Sequence, residues 1–296
     1  MSEEKRLKIA IQKSGRLADQ SLALLEKSGV SLAKSRDQLL CRAENYPLDV
    51  FLVRDDDIPA FLANNVCQLG ILGQNAFLEK QALGNGKFES LSQLLPLGYG
   101  KCRLSIAVPH DFDYKSIQSL TGKVIATSYR GLLAAYLKQH DIDADIVTME
   151  GAVEVAPRTH LADVICDLVS TGSTLVSNGL VEKEVILRSE AVLVSNQITD
   201  PVIAGLADQI TSRIKAVLRA ENSRYIMLNS PTASLDAIKA VLPGSASPTV
   251  MPLQGRDDMV AVHAVCEEGV FWNTMESLKA NGASSILVVP IEKMLD

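Results

Sequence analysis

The chain has 296 residues, 47% of them hydrophobic, and a formal net charge of −6. That length predicts two or three domains, and that much apolar surface supports packed cores rather than disorder. Charges of both signs are interspersed, with no basic run and no aromatic-basic interleaving, which argues against a nucleic-acid partner. A small phosphorylated ligand stays compatible, because such sites use backbone N–H groups and a few placed cations. The five cysteines (Cys41, Cys67, Cys102, Cys166 and Cys266) form no C-x-x-C pair and read as reduced thiols. The four histidines (His110, His140, His160 and His263) lack metal-ligand spacing. Neither a secretory signal nor an apolar run of about 18 residues is visible, which predicts a cytoplasmic protein with no membrane partner.

Residues 7–11 alternate as a strand should. A polar stretch then leads into a helix with Leu17, Ser21, Leu24 and Leu25 on one face and Gly29 as its stop. Residues 48–53 and 67–72 are further strands, and residues 54–59 open a helix between them. Strands alternating with helices predict a parallel α/β sheet. A break at 95–100, rich in proline and glycine, precedes a second α/β lobe with strands at 103–108, 123–126, 144–147 and 164–169. Residues 184–194 read as strands returning to the first lobe, and 200–220 as a long helix. The remainder reads as a strand (224–229), a helix (234–241) stopped by Pro243-Gly244, two strands (249–253 and 259–265) around a turn at 255–258, a helix (270–280) and a closing strand (285–289). That order, β-α-β-β-α-β, is the ferredoxin-like split motif. Phe271 and Trp272, on the last helix, read as core. The predicted domains are 1–101, rejoined by about 190–222, then 102–189, then 223–296.

The most informative stretch runs from Glu154 to Thr174. An apolar strand ends in Asp167-Leu168-Val169, and Ser170-Thr171-Gly172-Ser173-Thr174 turns the chain into a helix. Such a loop offers backbone N–H groups and hydroxyl donors beyond the carboxyl end of a strand, which suits a phosphate monoester. On composition alone it reads equally well as a helix cap. Asp163 and Asp167, four apart, are expected on one side of the strand, where a carboxylate can accept ribose hydroxyls or help hold hydrated magnesium. Lys13-Ser14-Gly15-Arg16 is a second candidate, with Gly15 permitting close approach and Arg16 a bidentate grip on phosphate; a solvated loop is the alternative. Arg54 heads three aspartates, which fit a capped helix start. His160 has no apparent partner and reads as a surface histidine.

With these segments assembled, the chain closely resembles the long-form ATP phosphoribosyltransferase family. The resemblance rests on Gln12-Lys-Ser-Gly-Arg-Leu17, Arg54-Asp-Asp-Asp-Ile-Pro59, Cys102-Arg-Leu-Ser105, Ala126-Thr-Ser-Tyr129, Glu154-Val-Ala-Pro157, residues 163–175 and residues 282–293. It implies an α/β fold with two periplasmic-binding-protein-like lobes, plus a C-terminal ferredoxin-like regulatory domain that binds histidine. It implies transfer of a phosphoribosyl group from phosphoribosyl pyrophosphate to N1 of ATP, with feedback inhibition by histidine. It further implies Mg²⁺, a dimer-built hexamer and no separate regulatory subunit. By the same resemblance, Glu154, Asp163, Asp167, Val169, Ser170, Thr171, Gly172, Ser173 and Thr174 bind phosphoribosyl pyrophosphate. Lys13, Arg16 and Arg54 meet the polyphosphates as catalytic groups, and Gln12, Ser14, Gly15, Gly70, Arg103 and Tyr129 bind ATP. Asp236, Ser247 and Thr249 are positional guesses for a histidine pocket.

The chain departs from the family pattern at four positions. The family usually has an acidic residue where Gln68 stands and often one where Gln74 stands. It usually has glycine in place of His160 and proline in place of Arg130. Two other readings remain at this point: a two-lobed solute-binding protein without catalysis, and a histidine-sensing paralogue.

Overall fold

In the computed structural model, which describes residues 5–32, 39–84, 86–242 and 247–295 and only the backbone of 270, 271 and 273, two compact units divide the chain: Met1–Gln209 and Ile210–Asp296. The first unit opens with β1 (Leu7–Gln12), α1 (Arg16–Lys27), β2 (Leu40–Arg42), β3 (Leu48–Val53), α2 (Ile58–Ala63), β4 (Leu69–Gly73), α3 (Gln74–Ala82) and β5 (Ser92–Pro96). It continues with β6 (Cys102–Pro109), β7 (Val124–Thr127), α4 (Arg130–Gln139), β8 (Asp145–Thr148), β9 (Val164–Val169), α5 (Ser173–Ser177), β10 (Leu180–Ser189) and β11 (Ala191–Ser195). The long helix α6 (Pro201–Glu221) follows.

These strands form two sheets, ordered β2-β3-β1-β4-β11-β5 and β10-β6-β9-β7-β8. Each contains three parallel strands with the earliest in the middle: β3-β1-β4 in the first, β8-β7-β9 in the second. Beside each trio lies an antiparallel strand, β11 next to β4 and β6 next to β9. The sheets are therefore mixed, not purely parallel as the alternating pattern predicts. The exceptions are the short edge strand β2, antiparallel to β3, and the strands next to the two chain crossings, β6 after the chain leaves the first sheet and β11 after it returns. This repeated order is the two-lobed periplasmic-binding-protein arrangement. The strand at 184–189 belongs to β10 and pairs with β6, so only β11 rejoins the first sheet.

Burial explains the order of the elements. Leu7, Ile9, Ala10 and Ile11 of β1 are all buried, as expected for a central strand covered on both faces. One core packs Ile58 and Leu62 of α2 and Phe77 of α3 against Leu72, Val192 and Val194. In the second sheet, Leu104, Ile106, Ile125 and Val164 pack with Leu133 and Leu137 of α4. Ala107, Ala126 and Ile165 meet Val153, Leu175 and Leu180 in a separate cluster. Each fully buried Leu or Ile contributes roughly 1.5–3 kcal/mol. On α1 the buried residues are Ala18, Ser21, Leu24 and Leu25, so Ala18 takes the place expected for Leu17. Gly29, at φ +83°, follows the helix as read.

The second unit carries β12 (Ser223–Pro231), α7 (Leu235–Val241), β13 (Thr249–Leu253), β14 (Arg256–Glu267), α8 (Glu268–Ala280) and β15 (Ser284–Pro290). Its sheet, ordered β13-β14-β12-β15, is antiparallel throughout, which is the ferredoxin-like topology. Ile226, Leu228, Ile238, Val262 and Leu278 form its core. Two readings need correction. Leu253 already pairs with Arg256, so β14 starts within the expected turn. Trp272 is 71% exposed and is not core. The Pro243-Gly244 stop and the side chain of Phe271 lie outside the described residues. All five cysteines are free thiols, and burial pushes Cys67 up to about 12.

Candidate active site

The parallel strands of the first sheet send three loops out of one edge. Gln12 pairs with Val53, and the Lys13 N–H donates to the Val53 carbonyl at 2.7 Å. Lys13 and Arg54 therefore leave adjacent strands side by side. Gly15 sits at φ +92°, where a side chain would be strained, and its carbonyl accepts the Asp19 N–H at 3.1 Å in the first turn of α1. Lys13, Ser14, Gly15 and Arg16 are exposed, and Gln12 is half-buried. Among the described residues, the side chains of Lys13, Arg16 and Arg54 enter no ion pair.

Arg54 is followed by a 3-10 turn, Asp55–Asp57, which runs into α2, and no aspartate side chain caps either helix start. Asp55 instead turns inward, and its Oδ1 is buried without a hydrogen-bond partner. Burial, reinforced by the charge of Asp56 and opposed by the Gly73 N–H, pushes its carboxyl up to about 6. Asp56 and Asp57 face a cavity of about 740 Å³ between the two sheets. Its first-sheet wall is Arg54, Asp56, Asp57, Glu79 and Lys80; its second-sheet wall is Ser128, Tyr129, Arg130, Met149 and Glu150.

Tyr129 is the hub of this cleft. Its hydroxyl accepts the Asn75 amide at 2.8 Å, and its N–H donates to Thr127 Oγ1 at 2.9 Å. Burial raises the phenol's pKa, the Asn75 donor opposes the rise, and the charges of Asp55, Asp167 and Asp56 add to it. Tyr129 is thus within electrostatic reach of both the Asp55 turn and Asp167 near the end of β9.

At that end, β9 leads through residues 170–172 into α5. Gly172 adopts φ +84° at the helix start, which favours glycine. Thr171 and Ser173 hydroxyls lie 3.1 Å apart. A second cavity, of about 260 Å³, is lined by Glu154, Asp167–Gly172 and Thr174. Asp167 accepts the Leu168 N–H at 2.8 Å, and burial raises its carboxyl despite that bond, with Glu154's charge adding to the rise. Ser173 is outside this lining. Arg103 braces the loop from below: it donates to the Ser170 carbonyl at 3.0 Å and forms a two-pronged pair with Glu182, which also accepts Ser105 Oγ at 2.7 Å.

Several expected residues are thereby reassigned. Arg103 has its guanidinium engaged by Glu182 and the Ser170 carbonyl, so it supports the loop. Gly70 is buried in mid-strand, where a Cβ would come within 2.8 Å of Ile58 Cγ2; it is glycine so that α2 can pack, not so that a ligand can approach. Asp163 precedes β9, at the opposite end from the loop, and its Oδ2 accepts the Val124 N–H at 2.8 Å. It lines a separate cavity with His110, Arg158 and His160. Gln68 Oε1 accepts the Lys8 N–H at 3.1 Å, at the far end of β4 from the cleft, and Gln74 bonds Gln93 at 3.1 Å. Asp236, on α7, and Ser247 and Thr249 are exposed in the second unit. Composition and spacing missed Asp55, Asn75, Glu79, Lys80 and Glu150; only the i, i+4 spacing of Asn75 and Glu79 was visible as a shared helix face.

The ATP phosphoribosyltransferase family profile matches residues 54–216, and the profile described as HisG, C-terminal domain, matches residues 220–293. The chain belongs to the ATP phosphoribosyltransferase family. It is 49% identical over 292 residues to the ATP phosphoribosyltransferase of Maricaulis maris (strain MCS10), covering 98% of this chain and 99% of that one. Among solved structures, the ATP phosphoribosyl transferase (HisG:HisZ) complex from Thermotoga maritima is similar with a TM-score of 0.59 at 27% identity, over 71% of this chain and 96% of that one. An ATP phosphoribosyltransferase moves the phosphoribosyl group of phosphoribosyl pyrophosphate to N1 of ATP and releases pyrophosphate, the committed step of histidine biosynthesis. That activity is this chain's, and the family match decides against a non-catalytic solute-binding protein.

Proposed function

We propose that phosphoribosyl pyrophosphate sits with its 5-phosphate in the 170–174 loop and its ribose against Glu154 and Asp167, while ATP occupies the cleft at Tyr129. The observation that carries this reading is the loop cavity: hydroxyls and N–H groups around Gly172, flanked by two carboxylates, beside a larger cleft with Arg54 on its wall. Lys13, Arg16 and Arg54 supply positive charge for the polyphosphates from the opposite sheet.

The adenine N1 bears no proton that must leave before attack on the anomeric carbon, so the chain's task is positioning and charge stabilisation. The C–O bond to pyrophosphate breaks as the N1–C bond forms, and the departing charge is met by the cations of the first sheet. Among the described residues no three carboxylate, imidazole or thiolate groups converge. Mg²⁺ is carried mainly by the substrate phosphates, with few protein ligands; when bound, it offsets charge on the leaving group.

The second unit, matched by the C-terminal family profile, is assigned to histidine binding and feedback inhibition, with Asp236, Ser247 and Thr249 as the first positions to test. The Thermotoga structure is a HisG:HisZ complex; because this chain carries its own C-terminal domain, it acts without a separate regulatory subunit, as a homo-oligomer in the cytoplasm. No helix among the described residues is long and apolar enough to cross a membrane. The domain division is 1–101 with about 190–222, 102–189, and 223–296. The test is the ultraviolet absorbance of product on mixing protein, ATP, phosphoribosyl pyrophosphate and Mg²⁺. A rise that needs both substrates and is suppressed by histidine supports both assignments; a rise indifferent to histidine removes the regulatory one.

A further inference from the structure

We propose that Glu79 is a positioning residue: from α3 of the first sheet it caps the amino end of α4 of the second, pinning the cleft walls and closing that helix end to substrate phosphate. Glu79 is only 7% exposed. Its Oε1 accepts the Gly131 N–H at 2.7 Å and its Oε2 the Leu132 N–H at 2.8 Å. These are two of the donors that every helix start leaves unpaired, and α4 has no side-chain cap of its own from Tyr129. The contact is close at the backbone as well. A Cβ on Gly131 would lie 3.0 Å from Ala82 Cβ and 3.1 Å from the Leu83 nitrogen.

One turn before Glu79 on the same face, buried Asn75 makes the second half of the fastening. Its Nδ2 donates to the Tyr129 hydroxyl, its Oδ1 accepts Ser189 Oγ at 2.9 Å, and its N–H donates to Ser189 Oγ at 3.0 Å. Tyr129 and Ser189 both belong to the second-sheet segment. Two buried residues at i and i+4 thus tie α3 to the other lobe at α4 and at the end of β10.

The chemical consequence is selection between anion sites. The start of a helix after a parallel strand attracts phosphate, and the second lobe has two such starts, at α4 and α5. Glu79 supplies α4 with its anion from within the chain, which leaves the 170–174 loop open. This rests on the proposed place of phosphoribosyl pyrophosphate, and the test separates the two.

The test compares wild-type enzyme with Glu79→Gln, Gly131→Ala and Thr171→Val. Turnover, KM for each substrate and thermal unfolding are measured, together with the distance between spin labels at Lys87→Cys and Lys115→Cys, one on each lobe. The expected result for Glu79→Gln is a kcat lower by about 10- to 100-fold, the cost of about 1 Å of misplacement, with a broadened label distance and an intact fold. Gly131→Ala, which wedges the same two helices, gives the same kinetic signature. Lower thermal stability with unchanged kcat and unchanged label distance in both variants overturns the pin. Full activity of Thr171→Val overturns the loop assignment and leaves the pin judged by the label distance alone.

Discussion

The starts of α4 and α5 are built alike and used differently. Each follows a parallel strand of the same sheet, β7 and β9, with a short polar connection. At α4 a buried carboxylate from the other lobe takes two N–H groups. At α5 the chain turns through Gly172, and the loop opens into a cavity ringed by hydroxyls and two carboxylates. The fold offers anion sites wherever a strand feeds a helix; the side chains decide which stays open. A phosphate-binding assignment made from topology alone would not separate the two.

The largest effect expected from breaking this contrast is at the open end. Gly172→Val forces a branched side chain into φ +84° and should lower kcat/KM for phosphoribosyl pyrophosphate by about 100-fold or more, with thermal unfolding showing a folded protein. Next comes the brace. Arg103→Met frees the Ser170 carbonyl and should cost about 10-fold in kcat, and adding Glu182→Gln should cost little more, because the two residues act as one unit. Steady-state kinetics of both single variants and the double variant check this.

A third prediction concerns Asp55, in the turn between Arg54 and α2. Its folded carboxyl lies near 6, above the ordinary 3.8, because burial disfavours its charge. A raised carboxylate pKa means the folded state holds the proton more tightly. Stability from this group is therefore intact below about pH 4 and is lost as pH rises through 6, by roughly 2–3 kcal/mol. Asp55→Asn should unfold at higher urea than wild type at pH 7–8, and the difference should vanish toward pH 4. The smallest effect is at His160, which sits at φ +57°. The family's usual glycine relieves that conformation, so His160→Gly should add up to about 1 kcal/mol in chemical denaturation and leave kcat unchanged. Arg130 has a parallel reason to vary: it is the first residue of α4, where the N–H is unpaired and the family's proline costs nothing.

The order of these effects shows what could be seen in the sequence. The strand-to-loop-to-helix passage at 164–174 was visible because apolar alternation, small hydroxyl residues and glycine lie next to one another in the chain. The ferredoxin-like order of the second unit was visible for the same reason. Strands β2 and β5 were not, since one is three residues long and the other, Ser92–Pro96, is a mostly exposed edge strand ending in proline. The packing role of Gly70 and the bracing role of Arg103 were not legible because a motif records residue type but not surroundings: a glycine that lets a helix pack and one that admits a ligand spell the same letter. Asp163 was misplaced by distance. Four residues of extended chain span about 13 Å, which moves it from the phosphate loop to the other end of β9. Glu79 was out of reach because its partners, Gly131 and Leu132, lie more than fifty residues away in sequence.

The measurement that bears most directly on the contrast is a crystal structure of the enzyme with ribose 5-phosphate bound. The account predicts the phosphate within hydrogen-bond distance of the Thr171 and Thr174 hydroxyls and the N–H groups around Gly172, with Glu79 still on α4. A phosphate seated at Gly131 and Leu132, with Glu79 displaced, would contradict it.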